Sequence, residues 1–229
     1  MAFVRYDRRS NESAYDINSL GGVARTYFGH GSPRLILVGI AIAGVARLLV
    51  GSYRLDDAIV LVVSLCLVGA VEWFIHLFLL HAPDDSLRSK KFKTGSGHRE
   101  HHLDPQNVGW LMLGPPDVGI FLLMLLAWNA TWPLALGWAL GGPLLGTYLT
   151  AVVASYLLLA HYEWTHLLIH TRYRPKSRYY RRLAAHHRLH HFRNEHYWLG
   201  ITSRVGDRAL GTLPASRSDV PLSETARTL

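Results

Sequence analysis

The chain is short of several things that soluble domains rely on. Its 229 residues include one cysteine, Cys66, which excludes a disulfide-stapled scaffold. Charged residues make up 17%, well under the roughly 25% usual for a soluble domain. Acids are scarcer than bases, 16 against 24, so the net charge is +8. No G-x-G-x-x-G is present to cradle the pyrophosphate of a nicotinamide or flavin. Disorder is excluded as well, because 49% of the residues are apolar. Against these shortages stands one surplus, 14 histidines.

The missing charges are missing from particular places. Leu35 to Gly51 is interrupted only by Arg47, and Ala58 to His81 carries one acid, Glu72. Val118 to Trp132 and Leu134 to Ala160 hold no charge at all. A helix needs about 20 apolar residues to cross a hydrocarbon core about 30 Å thick. Four crossings are therefore expected, near 34–51, 58–81, 117–133 and 138–161. A soluble bundle would need a polar face, and Leu134 to Ala160 has none to offer. Cys66, inside the second run, is expected to pack as a small apolar side chain.

Basic residues crowd three segments: the first 34 residues, 82–104, and 171–193. Loops rich in Lys and Arg stay cytoplasmic. Four crossings put all three segments, and both chain ends, on that side, facing anionic lipid. The expected fold is all-α: an integral membrane helical bundle of about four transmembrane helices with a cytoplasmic, histidine-rich helical cap. The layout is an N-terminal cytoplasmic arm over 1–33, a membrane domain over 34–214 and a mobile tail over 215–229. No nucleic-acid partner is expected, because the basic surplus comes without a recognition element.

The histidines are clustered. His76 and His81 close the second apolar run, and His98, His101 and His102 follow within Gly97-His-Arg-Glu-His-His-Leu-Asp104. His166 and His170 leave the fourth run, and His187, His190 and His191 lie just beyond. A helix continuous from about 139 to 170 would be about 48 Å long and carry His166 and His170 out of the bilayer. The charge-derived topology thus brings all four clusters to one side. Residues at i, i+3 and i+4 share a helix face, which fits His98/His101/His102 and His187/His190/His191. His76 and His81, at i, i+5, share no face of a regular helix and converge only if the helix ends or loosens there. Imidazole suits Fe, Zn, Cu and Ni, and ten imidazoles exceed the needs of one ion, so two neighbouring metals are inferred.

Carboxylates beside the clusters are candidates for orienting the ligands. Glu72 lies one turn below His76, where an intramembrane acid is expensive and could accept a ligand N–H. Asp104 follows His102. Glu163 precedes His166 by three and is either a direct ligand or a supporting residue; a single Glu-x-x-His falls short of the paired motifs of soluble di-iron bundles. His161, His186 and His196 neighbour the clusters, either supporting them or lying exposed. His30, in Phe28-Gly-His-Gly31, reads as a surface turn residue.

With those residues in place, the chain resembles the fatty acid hydroxylase superfamily, which includes sterol desaturases. The matching stretches are His76-Leu-Phe-Leu-Leu-His81, His98-Arg-Glu-His101-His102, His166-Leu-Leu-Ile-His170 and His187-Arg-Leu-His190-His191. The flanks Tyr162-Glu-Trp-Thr-His166, Leu199-Gly-Ile-Thr202 and Gly206-Asp-Arg-Ala-Leu-Gly-Thr212 are similar to the bacterial branch, and the resemblance covers about 57–214. It implies a membrane di-iron enzyme that takes O2 as co-substrate and hydroxylates a lipid, most simply a fatty acyl chain. It implies no catalytic side chain beyond the ligands, and allows zinc in an isolated form. About 34 residues precede the first apolar run, too few for a fused cytochrome b5 domain. Electrons are therefore expected from a separate donor, ferredoxin-like or cytochrome b5-like. A desaturase or a sterol or carotenoid oxidase could use the same ligands. From another class, a membrane metal transporter or metal-binding protein would place ligands along a path near the bilayer midplane.

Overall fold

A computed structural model describes residues 11–83, 86 and 94–228. Among them the regular structure is helical, with one isolated bridge between Ser13 and Asn107. Helix α1 (Leu20–Gly29) is capped by the Ser19 side chain, and the ring of His30 caps α2 (Gly31–Val50) by accepting from the Ser32 N–H. α3 (Leu55–Ile75) runs on into a single π turn, His76–Leu80. Then come α4 (Thr94–Leu103), α5 (Val108–Leu111), α6 (Pro115–Asn129), α7 (Trp132–Ala139) and α8 (Leu144–His170). The chain closes with α9 (Arg178–Phe192), α10 (Val205–Leu210) and α11 (Glu224–Thr228).

Four stretches are long and apolar enough to cross a membrane: Gly31–Val50, Leu55–Leu80, Val108–Ala139 and Leu144–His170. α8 is the central helix, packed on α2, α3, α6, α7 and α9. The outward faces stay apolar, with Leu48 69% and Leu49 83% exposed, as lipid rather than water requires. Cys66 belongs to this outward face and does not pack inside as expected.

Two crossings differ from the sequence expectation. The third, expected over 117–133, is broken: α6 stops at Asn129, Thr131 carries the turn, and Pro133 sits in the first turn of α7, where its missing N–H costs nothing. The fourth starts at Leu144 instead of 138, because Gly141 adopts φ +63° and Pro143 ends the preceding turn. It still runs unbroken to His170, about 40 Å at 1.5 Å per residue.

The two ends of the bundle are tied differently. At the end away from the histidines, Arg47 is 5% exposed and pairs with Asp57 at 2.9 Å. Its Nε donates to Thr150 Oγ1 at 2.7 Å, while Thr147 donates to Asp56 at 2.8 Å. That network locks α2, α3 and α8 together and explains the one charge in the first apolar run. At the histidine end, α10 docks directly on α3: a Cβ at Gly206 would collide with the Gly69 carbonyl.

The flanking segments are held too. α1 buries Val23 and Tyr27, and the Tyr27 hydroxyl donates to the Ala160 carbonyl at 2.8 Å. The tail, expected to be mobile, hydrogen-bonds back onto α9. Arg193 Nε donates to the Val220 carbonyl at 2.6 Å and the Ser223 N–H to the Arg193 carbonyl at 3.0 Å.

Candidate metal centre

The histidine end collects ten imidazoles into two groups of five. One holds His76, His81, His98, His102 and His190; the other holds His101, His166, His170, His187 and His191. Within each group the potential ligand atoms all lie within 4.8 Å of one another. These are the ten histidines of the four sequence clusters.

Local structure explains the sorting. The π turn lets the His81 N–H bond the His76 carbonyl at 3.0 Å, so an i, i+5 pair comes into register and the rings stack at 5.1 Å. The helix loosens where the spacing required it to. On α4, His98 and His102 are one turn apart and enter the first group, while His101, about 100° around the helix, enters the second. On α9 the assignment is reversed: His187 and His191 enter the second group and His190 the first. Each of these two helices therefore straddles both groups. On α8, His166 and His170 are one turn apart and serve the second group alone.

Hydrogen bonding by itself does not account for the first group. His98 Nε2 lies 3.1, 3.0 and 3.2 Å from Nε2 of His76, His81 and His102. His190 Nε2 lies 3.2 Å from those of His81 and His102. A ring nitrogen either donates once or accepts, so three such contacts at one atom cannot all be satisfied. A shared cation satisfies them. Ligands at about 2.1 Å from one ion sit about 3.0 Å apart at right angles and about 3.4 Å apart in a tetrahedron. The 3.0–3.2 Å contacts are of the size that ligands sharing one ion would show. In the second group, His187 Nε2 is 2.8 Å from that of His170 and 3.0 Å from that of His191. Both ring nitrogens of His101 and the Nε2 of His166 are buried with no partner, which again suits an ion.

Burial favours the neutral form of these rings. Burial, reinforced by neighbouring imidazoles, holds His98, His101, His102, His187 and His191 well below the ordinary histidine range, and burial takes His190 down to about 4. Neutral rings keep the lone pair a metal needs.

Carbonyls set the orientation of several rings. His76 Nδ1 donates to Leu199 O at 2.5 Å and His190 Nδ1 to Tyr197 O at 2.9 Å. In the second group, His166 bonds the Leu111 carbonyl and His170 that of Pro105. Each bond fixes the tautomer and leaves Nε2 free for the ion. Trp198, between the two carbonyls serving the first group, sits at φ +55°, a strained region for an aromatic residue.

The expected carboxylate contacts take another form. Glu72 reaches no histidine; Oε1 accepts from the Ile201 and Thr202 N–H groups at 3.1 and 2.9 Å, and Oε2 from the Thr202 hydroxyl at 2.9 Å. It pins the loop whose Leu199 carbonyl holds His76. Glu163 is outside both groups and accepts from the Leu113 N–H at 3.0 Å, fixing the strand of chain after α5. Asp104 lends its backbone to the turn after α4, and the neighbouring Pro105 carbonyl is what meets His170. His186 donates to Asp207 at 2.9 Å, His161 contacts Thr165 at 3.3 Å away from both groups, and His196 is exposed with its ring 6.5 Å from that of His81.

Asp207 is the residue that sequence reasoning left without a role. Fully buried, it accepts from the Leu199 and Gly200 N–H groups at 2.8 Å each and from Thr212 Oγ1 at 2.5 Å. Burial alone would raise its pKa, but hydrogen bonds from His186 and Thr212 hold it below the usual carboxylate range. Its signal was a lone acid in Gly206-Asp-Arg, a motif quoted only for its resemblance.

Besides a small cavity lined by His98, His101 and His166, two cavities approach the groups from different sides. One, between α3, α6 and α8, is apolar and opens on His76, Tyr162 and Thr202. The other is floored by His170, His187 and His191 and rimmed by Arg172, Arg174 and Arg188.

The family model described as Fatty acid hydroxylase matches residues 60–212. The dihydroceramide fatty acyl 2-hydroxylase FAH2 of Arabidopsis thaliana is 30% identical over 159 residues, 65% of this chain and 57% of that protein. The fatty acid 2-hydroxylase of Homo sapiens is 30% identical over 151 residues, 62% of this chain but 36% of the human protein. The chain thus spans about half or less of these relatives. Among solved structures, full-length Scs7p, of which only the hydroxylase domain is visible, superposes with a TM-score of 0.56. That match covers 90% of this chain and 70% of the other at 20% identity, a likeness of fold.

Proposed function

The chain belongs to the fatty acid hydroxylase family, and from that premise we propose that it is a membrane lipid hydroxylase that inserts one oxygen atom of O2 into a C–H bond of a fatty acyl chain. The observation that carries this reading is the pairing of two five-histidine groups with an apolar cavity that opens on one of them. Gathering all ten ligands at one end of the bundle favours a catalytic centre over a transport path.

Two iron ions, one in each group, would supply the power to activate O2 and attack an unactivated C–H bond. The chain's own residues bind and orient. His76, His81, His98, His102 and His190 would hold one ion, and His101, His166, His170, His187 and His191 the other. Glu72 and Asp207 act on the first group through the loop 197–202. The cavity between α3, α6 and α8 takes the acyl chain from the bilayer, excludes water and lays a carbon beside the His76 group. The net reaction, RH + O2 + 2 e⁻ + 2 H⁺ → ROH + H2O, needs two electrons from outside the chain. We place their donor, a separate ferredoxin-like or cytochrome b5-like protein, at the arginine-rimmed cavity. No acid lies in 171–193, and its eight Lys and Arg residues suit an acidic partner. By the Lys and Arg distribution, this face and both chain ends are cytoplasmic.

Two measurements test the reading. Protein purified without oxygen should carry two irons per chain by elemental analysis; well-folded protein that binds no iron on reconstitution would overturn it. Lipid profiles of cells with and without the gene should differ by one oxygen in an acyl chain. A loss of two hydrogens instead would make the enzyme a desaturase.

A further inference from the structure

The apolar cavity has a floor of different chemistry from its walls. Its walls come from three helical stripes, Val68 and Val71 on α3, Leu125 on α6, and Leu158 and Leu159 on α8. His76 and Tyr162 line one end, and Ser64, Ser155, Trp128 and Trp132 line the other. Ser64 lies twelve residues from His76 along α3, about 18 Å at 1.5 Å per residue.

Two polar groups at that far end have no partner. The Ser64 hydroxyl, on a residue 6% exposed, and the indole N–H of Trp132 are both buried and unpaired. Ser155 differs: it accepts from Asn129 Nδ2 at 3.0 Å and donates to Asn129 Oδ1 at 3.3 Å. Buried polar groups are nearly always paired, so two orphans at the far end of one apolar cavity point to something that enters it. Trp132 can only donate, whereas Ser64 can donate or accept. A hydroxyl oxygen accepts from Trp132 and donates to Ser64; a carbonyl oxygen accepts from both; a methyl group satisfies neither.

We propose that this floor is a hydrogen-bonding subsite for an oxygen at the remote end of the substrate chain. The proposal rests on the acyl-hydroxylase reading and narrows it: the preferred chain carries a hydroxyl or carbonyl at the end away from the carbon attacked. An extended chain advances roughly 1.2 Å per bond, so about 15 bonds separate that oxygen from the carbon beside His76. Apolar walls discriminate weakly between chain lengths, whereas a polar site rejects a ligand lacking its partner far more strongly. The floor, rather than the walls, therefore sets selectivity.

The test compares hexadecanoate with 16-hydroxyhexadecanoate, each esterified in a lysophosphatidylcholine whose headgroup keeps the acyl carbonyl out of the far end, as ligands of the full chain in detergent, read as thermal stabilisation, which needs no turnover. The hydroxylated lipid should half-saturate at a concentration at least about tenfold lower. In the S64A/W132F double variant the preference should vanish while the hexadecanoyl lipid still stabilises, which also shows that the variant is folded. Equal response of the wild type to both lipids, or a preference that survives the double variant, overturns the subsite and leaves the acyl reading intact. If neither lipid stabilises the wild type, the acyl reading itself falls and takes the subsite with it.

Discussion

The two histidine groups match in ligand number and differ in how the chain holds them. The second group is built largely on regular helix. His166/His170 and His187/His191 are one-turn pairs on α8 and α9, and α8 is the bundle's central helix. The first group depends on departures from regularity: a π turn at His76–Leu80 and a loop whose Trp198 is held at positive φ. That loop is held from below by Glu72 and from behind by Asp207. The surroundings differ in parallel. The first group meets the apolar cavity, and the second meets the arginine-rimmed one. The irregular scaffold thus faces the apolar cavity and the regular one the arginine-rimmed cavity.

The sharpest way to break this comparison is through adjacent ligands. His190→Ala should deplete the first group and His191→Ala the second, each leaving about one ion per chain by elemental analysis and abolishing turnover. If either variant loses both ions, the groups are one cooperative site. Next in size is the loop. Glu72→Gln or Asp207→Asn should weaken metal binding to the first group by about 10–100-fold while the second is unchanged, read by competitive metal titration. Equal weakening of both groups would contradict the separate scaffolds. A smaller effect is expected at the polar cavity. Arg174→Glu with Arg188→Glu should slow turnover driven by an acidic donor protein about tenfold at low salt, and less at high salt. Turnover driven by dithionite should not change. The smallest effects belong to His161→Ala and His196→Ala. Metal content should hold, and stability should move by about 0.5 kcal/mol or less in thermal unfolding.

Much of this was legible because its chemistry is local. Uninterrupted apolar runs mark the crossings, and imidazoles at i, i+3 and i+4 mark the clusters. The positions of His98, His101 and His102 fall within one short segment, so their convergence could be anticipated. Their division between two groups could not, because a shared helix face says nothing about which neighbouring helix each ring will meet. Glu72 was recognised as costly, but its partners, Ile201 and Thr202, are some 130 residues away, and only tertiary structure supplies them. Asp207 was overlooked because half of its carboxylate hydrogen bonds go to backbone N–H groups, which no side-chain pattern advertises. The break at Thr131 was hidden by composition: a run without charges reads as one helix whether or not it bends.

The four residues between His76 and His81 carry a further consequence. In a π turn that interval closes on a backbone hydrogen bond; with three residues between them, the same two ligands would stand in ordinary α register. The number of residues between these two histidines is then a choice between two helix types. Deleting one residue from Leu77–Leu80 would leave a plausible motif on paper. It would also wind the helix back to its regular pitch and turn everything after it by about 100°. Indels in this family are better compared as changes of helical phase than as changes of length.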